Sequence, residues 1–246
     1  LYEDPSTQLL HPIPWDIRLR PIDAPDVRFS DLMKGWLRNP FVVDAINRQL
    51  ADAVREGALR RVVDSLATGV ERRYADYFDY DRRRAGLIPD VGTAAGAIAV
   101  VDRNLAIIRG WLVNDTVAAG VGASGGETVL DLETRGRIGA DLVALTADRA
   151  APLRLWRDAN LNGVHDATDP EVPLGGRAGV RFALRSPVAL YAGMDIERQG
   201  AVPGHVAYRF FVRGLRVAAR LTPELRNRAT GLPAAGAPWQ AGEAIR

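Results

Sequence analysis

Seven short runs in the second half of this 246-residue chain alternate apolar and polar residues with a period of two: 128–134, 138–146, 153–157, 180–185, 188–197, 206–213 and 215–221. Period two sends successive side chains to opposite faces of a strand. Glycine, proline, aspartate and asparagine separate the runs, so the pattern predicts a set of antiparallel strands, in a sandwich or a barrel. Upstream the period changes. Ile46, Leu50, Val54, Ala58, Val62, Leu66 and Val70 recur every four residues, with charged residues on the other side. That spacing predicts one long amphipathic helix, or two broken near Gly69, and Pro40 after Asn39 suits its first turn. The expected fold class is therefore α+β: an N-terminal amphipathic helical region, then an antiparallel β-sandwich-like region.

The same signals divide the chain into five parts. Residues 1–40 read as an extended arm with an edge strand at Trp15–Arg20. Residues 41–90 read as helical. Residues 91–126 read as a hairpin or helix followed by a glycine-rich joint. For 94–113, glycines at both ends and β-branched content favour strands. Residues 127–225 form the β-rich domain, and 226–246 read as a tail.

Composition excludes several classes. Hydrophobic residues make up 47% and charged residues 25%, an ordinary globular mixture. No stretch is apolar for 18 residues, so no helix spans a membrane. Among the basic residues only Lys34 is lysine, yet the acids nearly balance the arginines and the formal charge is +2. Such a balance does not predict a nucleic-acid partner. With no cysteine there are neither disulfides nor thiolate chemistry. The chain begins at Leu1 without a signal-peptide pattern, which suits a processed precursor.

The sharpest chemical signal is Asp158-Ala-Asn160-Leu-Asn162-Gly163-Val164-His165-Asp166-Ala-Thr-Asp169. Oxygen-bearing side chains stand at positions 1, 3, 5, 9 and 12, with glycine at 6. A calcium ion needs six to eight oxygens converging on one point. Alternate side chains in a tight loop supply them, glycine permits the bend, and the position-7 carbonyl of Val164 adds one more. The predicted ligands of Ca2+ are thus Asp158, Asn160, Asn162, Val164, Asp166 and Asp169. With three carboxylates, and Asp where Glu is usual at the end, the expected dissociation constant is on the order of 10⁻⁴–10⁻³ M. Leu153–Arg157 reads as a strand before the loop, and Pro170 and Pro173 oppose a helix after it.

Residues 153–184 resemble the calcium-binding B-type repeat of bacterial surface adhesins, the serine–aspartate repeat and collagen-adhesin B-like group. An aromatic strand leads into a D-x-N-x-N-G-x-x-D-x-x-D-P loop, followed by a Leu174-Gly175 turn and an alternating strand. The sequence departs from that pattern at Asp169 and in having two glycines after Leu174. The resemblance implies calcium-rigidified β structure in an extracellular or cell-envelope protein.

Two further constellations suggest other chemistry. Gly120–Gly126 spells both G-x-G-x-x-G and G-x-S-x-G. The first needs a strand-to-helix turn to cradle a dinucleotide, and a plain linker fits the surrounding residues better. The second would make Ser124 a nucleophile, with His205 as its base, in a serine hydrolase. His165 falls inside the metal loop, and His11 reads as a surface residue. In the late strands Arg181, Arg185, Arg209, Arg213, Arg216 and Arg220 share one alternation phase, opposite Phe182, Leu184, Tyr208, Phe210 and Val212. Such a row predicts a face for a phosphate or an anionic glycan, or else a solvated surface. The same alternation would suit an outer-membrane barrel with a basic lumen. The expectation of first rank is a non-catalytic structural or interaction protein of the cell exterior, whose partners are other envelope or surface proteins or copies of itself.

Overall fold

The computed structural model describes residues 2–3, 10–11, 38–55, 57–73, 75, 94–113, 115–149, 151–195, 202–215, 220–234 and 236–238. The expected edge strand at Trp15–Arg20 lies outside these. The chain divides into two compact units, one of Leu1–Ile22 with Ala58–Ala106, the other of Asp23–Gly57 with Ile107–Arg246.

In the first unit, strands β1 (Tyr2–Glu3) and β2 (Leu10–His11) form a short antiparallel ladder. Helix α2 (Ala58–Arg73) buries none of its residues, and Leu59, Val62, Leu66 and Val70 remain exposed along one side. Arg60 bonds Asp102, on the helix α3 (Ala94–Leu112) that continues into the second unit. Residues 94–112 are thus helical, not the favoured hairpin. The apolar spacing Ile98, Val101, Leu105, Ile108 is met by a helix, and Val101 and Leu105 are buried.

In the second unit, helix α1 (Pro40–Arg55) starts where proline was expected. Asn39 caps it: its side-chain Oδ1 accepts the Phe41 N–H at 3.0 Å. The break after α1 lies at Gly57, whose φ of 61° is the left-handed value that ends helices. Gly69, expected at the break, stays inside α2.

Two sheets make up the rest. The first has the order β13 (Gly236–Pro238), β3 (Val117–Ser124), β4 (Glu127–Thr134), β11 (Val206–Arg213), β6 (Arg154–Arg157). It is antiparallel except for β13, which runs parallel to β3. The second has the order β12 (Leu221–Asn227), β5 (Ala140–Ala147), β8 (Arg181–Leu190), β7 (Leu174–Ala178), all antiparallel. A small hairpin pairs β9 (Gly193–Asp195) with β10 (Val202–Gly204). The two sheets share one apolar core. Leu130, Leu132, Leu155, Phe210 and Val212 enter it from the first, and Leu142, Leu145, Phe182, Leu184, Leu190 and Leu221 from the second. The fold is mixed α+β with a sandwich-like β-region. Apolar residues point inward between separate sheets, so the barrel arrangement, with apolar residues outward around a basic lumen, is not what forms.

Three boundaries move. The β-region begins at Val117, because Gly120–Gly126 is not a joint but the end of β3 and a tight turn. Run 180–185 and the first residues of run 188–197 merge into β8, where pairing with β5 jumps from Ala183 to Val188 across Ser186-Pro187, since proline cannot donate to a ladder. Gly193–Asp195 of the second run form β9, and 196–197 lie outside the described residues. The expected tail is partly structural. Asn227, 2% exposed, donates to Leu112 O at 2.7 Å and Asp115 at 2.8 Å, and its oxygen accepts the N–H groups of Ala229 and Thr230.

A partly buried charge cluster ties α1 to the β-region. The Arg228 guanidinium binds Asp44 of α1 at 2.8 and 2.9 Å and also contacts Asp141 of β5. Its face covers the Tyr191 ring. The hydrogen bond to Asp44 pushes the Arg228 pKa up despite burial.

Candidate metal loop and the outer sheet face

Strand β6 feeds directly into the Asp158–Asp169 loop, and the chain returns beside it. Arg157 N–H donates to Pro170 O at 3.0 Å, and Val172 N–H to Leu155 O at 2.8 Å. Trp156 and Glu171 form a bridge, and Arg154 grips Glu171 through two bonds of 2.9 and 2.6 Å. The loop is therefore a closed excursion with strands on both sides, not a helix–loop–helix.

Inside it the alternating side chains turn back on the backbone. Asp158 accepts the N–H groups of Asn162 (3.2 Å) and Gly163 (2.9 Å). Asn160 Oδ1 accepts the N–H of Asn162 at 3.0 Å, and Asn162 Oδ1 that of Val164 at 2.8 Å. Asp169 closes the loop, with one oxygen accepting Ala159 N–H at 3.1 Å and the other Asp166 N–H at 3.0 Å. Gly163 adopts φ 75° at the bend, as position 6 requires. Leu161 is held at φ 56°, unfavourable for a side chain of its shape.

Asp158 and Asp169 are buried, at 3% and 7% exposure. Asp166 is the meeting point: Asn160 and Asn162 amides donate to its Oδ2 at 3.0 and 2.8 Å, and Thr168 bonds its Oδ1 through hydroxyl and N–H. The Thr168 hydroxyl and N–H, followed by the two amides, hold the Asp166 carboxyl far below the usual carboxylate range. Thr168 carried no signal beyond its place beside Asp166.

The donor set is all oxygen or amide, which suits a hard cation. Among the described residues no three carboxylate or imidazole groups form a metal cluster by themselves. An ion held here would take amide and carbonyl oxygens as well. That requires the Asn160 and Asn162 amides to present oxygen where they now donate N–H to Asp166.

His165 anchors the loop to the outer face of the first sheet. Its ring lies 4.8 Å from Trp156, and its Nδ1 stands 3.0 Å from Glu127 Oε2. Val129, Trp156 and Phe211 form a separate small apolar cluster. Phe211, which shares the arginine phase, is 1% exposed.

The arginines do not form one anion-binding face. Arg209 and Arg213 lie on the first sheet, Arg181 and Arg185 on the second, and Arg216 lies outside the described residues. Register sets Arg209 opposite Asp131, with bonds of 2.7 and 2.9 Å, while Arg213 reaches Glu127. Arg181 pairs with Glu224 at 2.7 Å. Arg185 and Arg220 are exposed. The acids on alternate positions of β4 neutralise the row that the β11 alternation predicted.

The hydrolase pair is also undone by register. Ser124 stands opposite Glu127 at one end of β4, whereas Val206, next to His205, stands opposite Thr134 at the other. Seven residues of strand separate these ends, roughly 23 Å. His205 instead bonds Glu133 at 2.9 Å. Gly125 and Gly126, with φ 57° and 81°, form a two-residue hairpin turn. Neither a nucleophile elbow nor a dinucleotide cradle follows from it, since no helix begins there.

Compared with known proteins, the chain matches no family model, no curated protein and no solved structure.

Proposed function

We propose that this chain is a non-catalytic structural or interaction protein of the cell exterior or envelope, with a β-region stabilised by calcium in the Asp158–Asp169 loop. The observation that carries this reading is the loop itself. Two buried carboxylates stand at its first and last positions, and glycine takes a left-handed φ at its sixth. Burying two carboxylates is costly even with backbone N–H donors on both and Arg209 near Asp158, and a divalent ion offsets part of that cost. Calcium suits the set better than magnesium, which demands a stricter octahedron and retains its waters.

The resemblance of residues 153–184 to B-type adhesin repeats supports the same class and an extracellular setting. In this reading the ion fixes the connection from Trp156 to Val180 and so orders the β6 edge. Partners would be envelope or surface proteins, or copies of itself. Thermal unfolding with calcium, with magnesium and with a chelator tests the reading. A melting temperature raised by calcium alone supports it, and identical curves overturn it. Fractionation of cells then tests the location.

A further inference from the structure

Beside the loop, on the outer face of the first sheet, lies a groove of about 470 Å³. Its walls include Asp131, Asp158, Asn162, His205, Tyr208 and Arg209. That volume is in the range of small-ligand clefts, roughly 300–1,000 Å³. Two of these residues, Asp158 and Asn162, are also proposed ion ligands, so the groove opens onto the ion site.

The lining selects a class of ligand. Two carboxylates face one guanidinium, and that guanidinium is already gripped by Asp131 through Nε and Nη2. An anion would meet a negative wall with its countercharge committed. An apolar ligand would strand charged groups without hydrogen bonds. A neutral polyhydroxyl compound does neither. Its hydroxyls donate to Asp131 and accept from Arg209, and from the Asn162 amide once that amide has turned its oxygen to the ion and released Asp166. Arg209 Nη1 makes no hydrogen bond among the described residues, and it lies 3.0 Å from where a Gly163 side chain would begin. Glycine at position 6 thus lets Arg209 lie along the loop as well as permitting the bend.

The ion supplies the second half of the argument. Calcium takes six to eight oxygens, and the loop offers about six, so one or two positions remain for water or for ligand hydroxyls. We propose that the groove binds a neutral saccharide unit through Arg209, Asp131 and Asn162, with calcium completing the contact through adjacent hydroxyls. This rests on the calcium reading above.

The test uses the full chain and two-dimensional NMR. Calcium is titrated first, then glucose, galactose, mannose and N-acetylglucosamine with their β-1,4 disaccharides. Glucuronate and inorganic phosphate serve as anionic probes. Expected are shifts at Asp131, Asn162 and Arg209 with at least one neutral sugar, abolished by chelator. Affinity should fall about tenfold or more in Asp131→Asn/Arg209→Gln, a double change that leaves neither partner charged and alone. Circular dichroism checks that this variant folds, and Arg209→Lys, which keeps the charge but loses the fork, should weaken binding as well. If calcium shifts the loop but no neutral sugar shifts the groove, the saccharide proposal is overturned and the calcium reading stands. Tighter binding of glucuronate or phosphate overturns the neutral class, and sugar binding unaffected by chelator overturns the role of the ion. Calcium that shifts nothing overturns both readings.

Discussion

His165 lies almost flat on Phe211, with ring centroids 5.3 Å apart and planes at 20°. The eighth residue of the candidate metal loop is thereby fastened to the C-terminal half of strand β11, and the Glu127 carboxylate holds its other edge. Loop order and sheet order are thus one property. Substituting His165→Ala should cost about 2 kcal/mol, from lost ring packing and a half-buried carboxylate that loses one partner. His165→Phe retains the stack and should cost less. Urea unfolding of both variants checks the order, and equal stability of His165→Ala and the parent would contradict the anchoring role.

Calcium at a hundredfold its dissociation constant should add about 2.7 kcal/mol if only the folded state binds it. For a chain of this size that corresponds to a rise of roughly 5–10 °C in melting temperature. Asp158→Ala should abolish the rise. A calorimetric scan in which Asp158→Ala still responds to calcium would place the ion elsewhere.

Arg228 links Asp44 of α1 with Asp141 of β5, and its side chain and that of Asp44 are only 13% and 7% exposed. Arg228→Met should cost about 2–3 kcal/mol, because it leaves the buried Asp44 carboxylate with only the exposed Arg48 as its cation. Adding Asp44→Asn should recover part of that loss. A double-mutant cycle in denaturant measures the coupling, and strict additivity would show that the pair contributes nothing.

The glycines of the former motif should behave as turn residues. Gly125→Ala and Gly126→Ala each force a side chain into positive φ and should cost about 1–2 kcal/mol, although no neighbouring atom obstructs them. Gly122→Ala, with open space and ordinary strand geometry, should be nearly neutral. Ser124→Ala should leave stability unchanged. Gly214→Ala should be the worst of the series, since its φ is 92° and the new Cβ would lie 2.0 Å from Pro152 O. Thermal unfolding of the five variants ranks them.

Acid should weaken the β3–β4–β11 end of the sandwich through Glu133. Burial pushes this carboxyl up, but hydrogen bonds from His205 and Arg135, with the charge on Arg135, together outweigh it and hold the group below its ordinary value. A lowered folded-state pKa gives stability that is complete above the unfolded value and is lost as pH falls through the folded one. Glu133→Gln should therefore flatten the stability curve between about pH 5 and pH 3. An unchanged acid limb in the variant would remove Glu133 from the cause.

Much of this protein is local in origin and legible in its amino-acid sequence. Period two located β4, β5, β6, β8 and β11, and it separated Phe182, Leu184, Phe210 and Val212 from the residues that face outward. The spacing of oxygens in 158–169 and the glycine at its sixth position defined a loop whose turns form between near neighbours. Asn39 and Pro40 marked a helix start for the same reason: a cap bonds a residue two positions away.

What escaped was set by partners distant in the chain. Strand register decided that Asp131 faces Arg209 and that Glu127 meets Arg213, turning an expected anion face into neutral pairs. Register also sent Ser124 and His205 to opposite ends of the sheet. Structure rather than tail at Asn227 rests on contacts such as its bond to Leu112. Alternation fixes which face a side chain takes, because that is a property of one strand. Which charge it meets there depends on how strands slide and stack, and only the tertiary structure determines that.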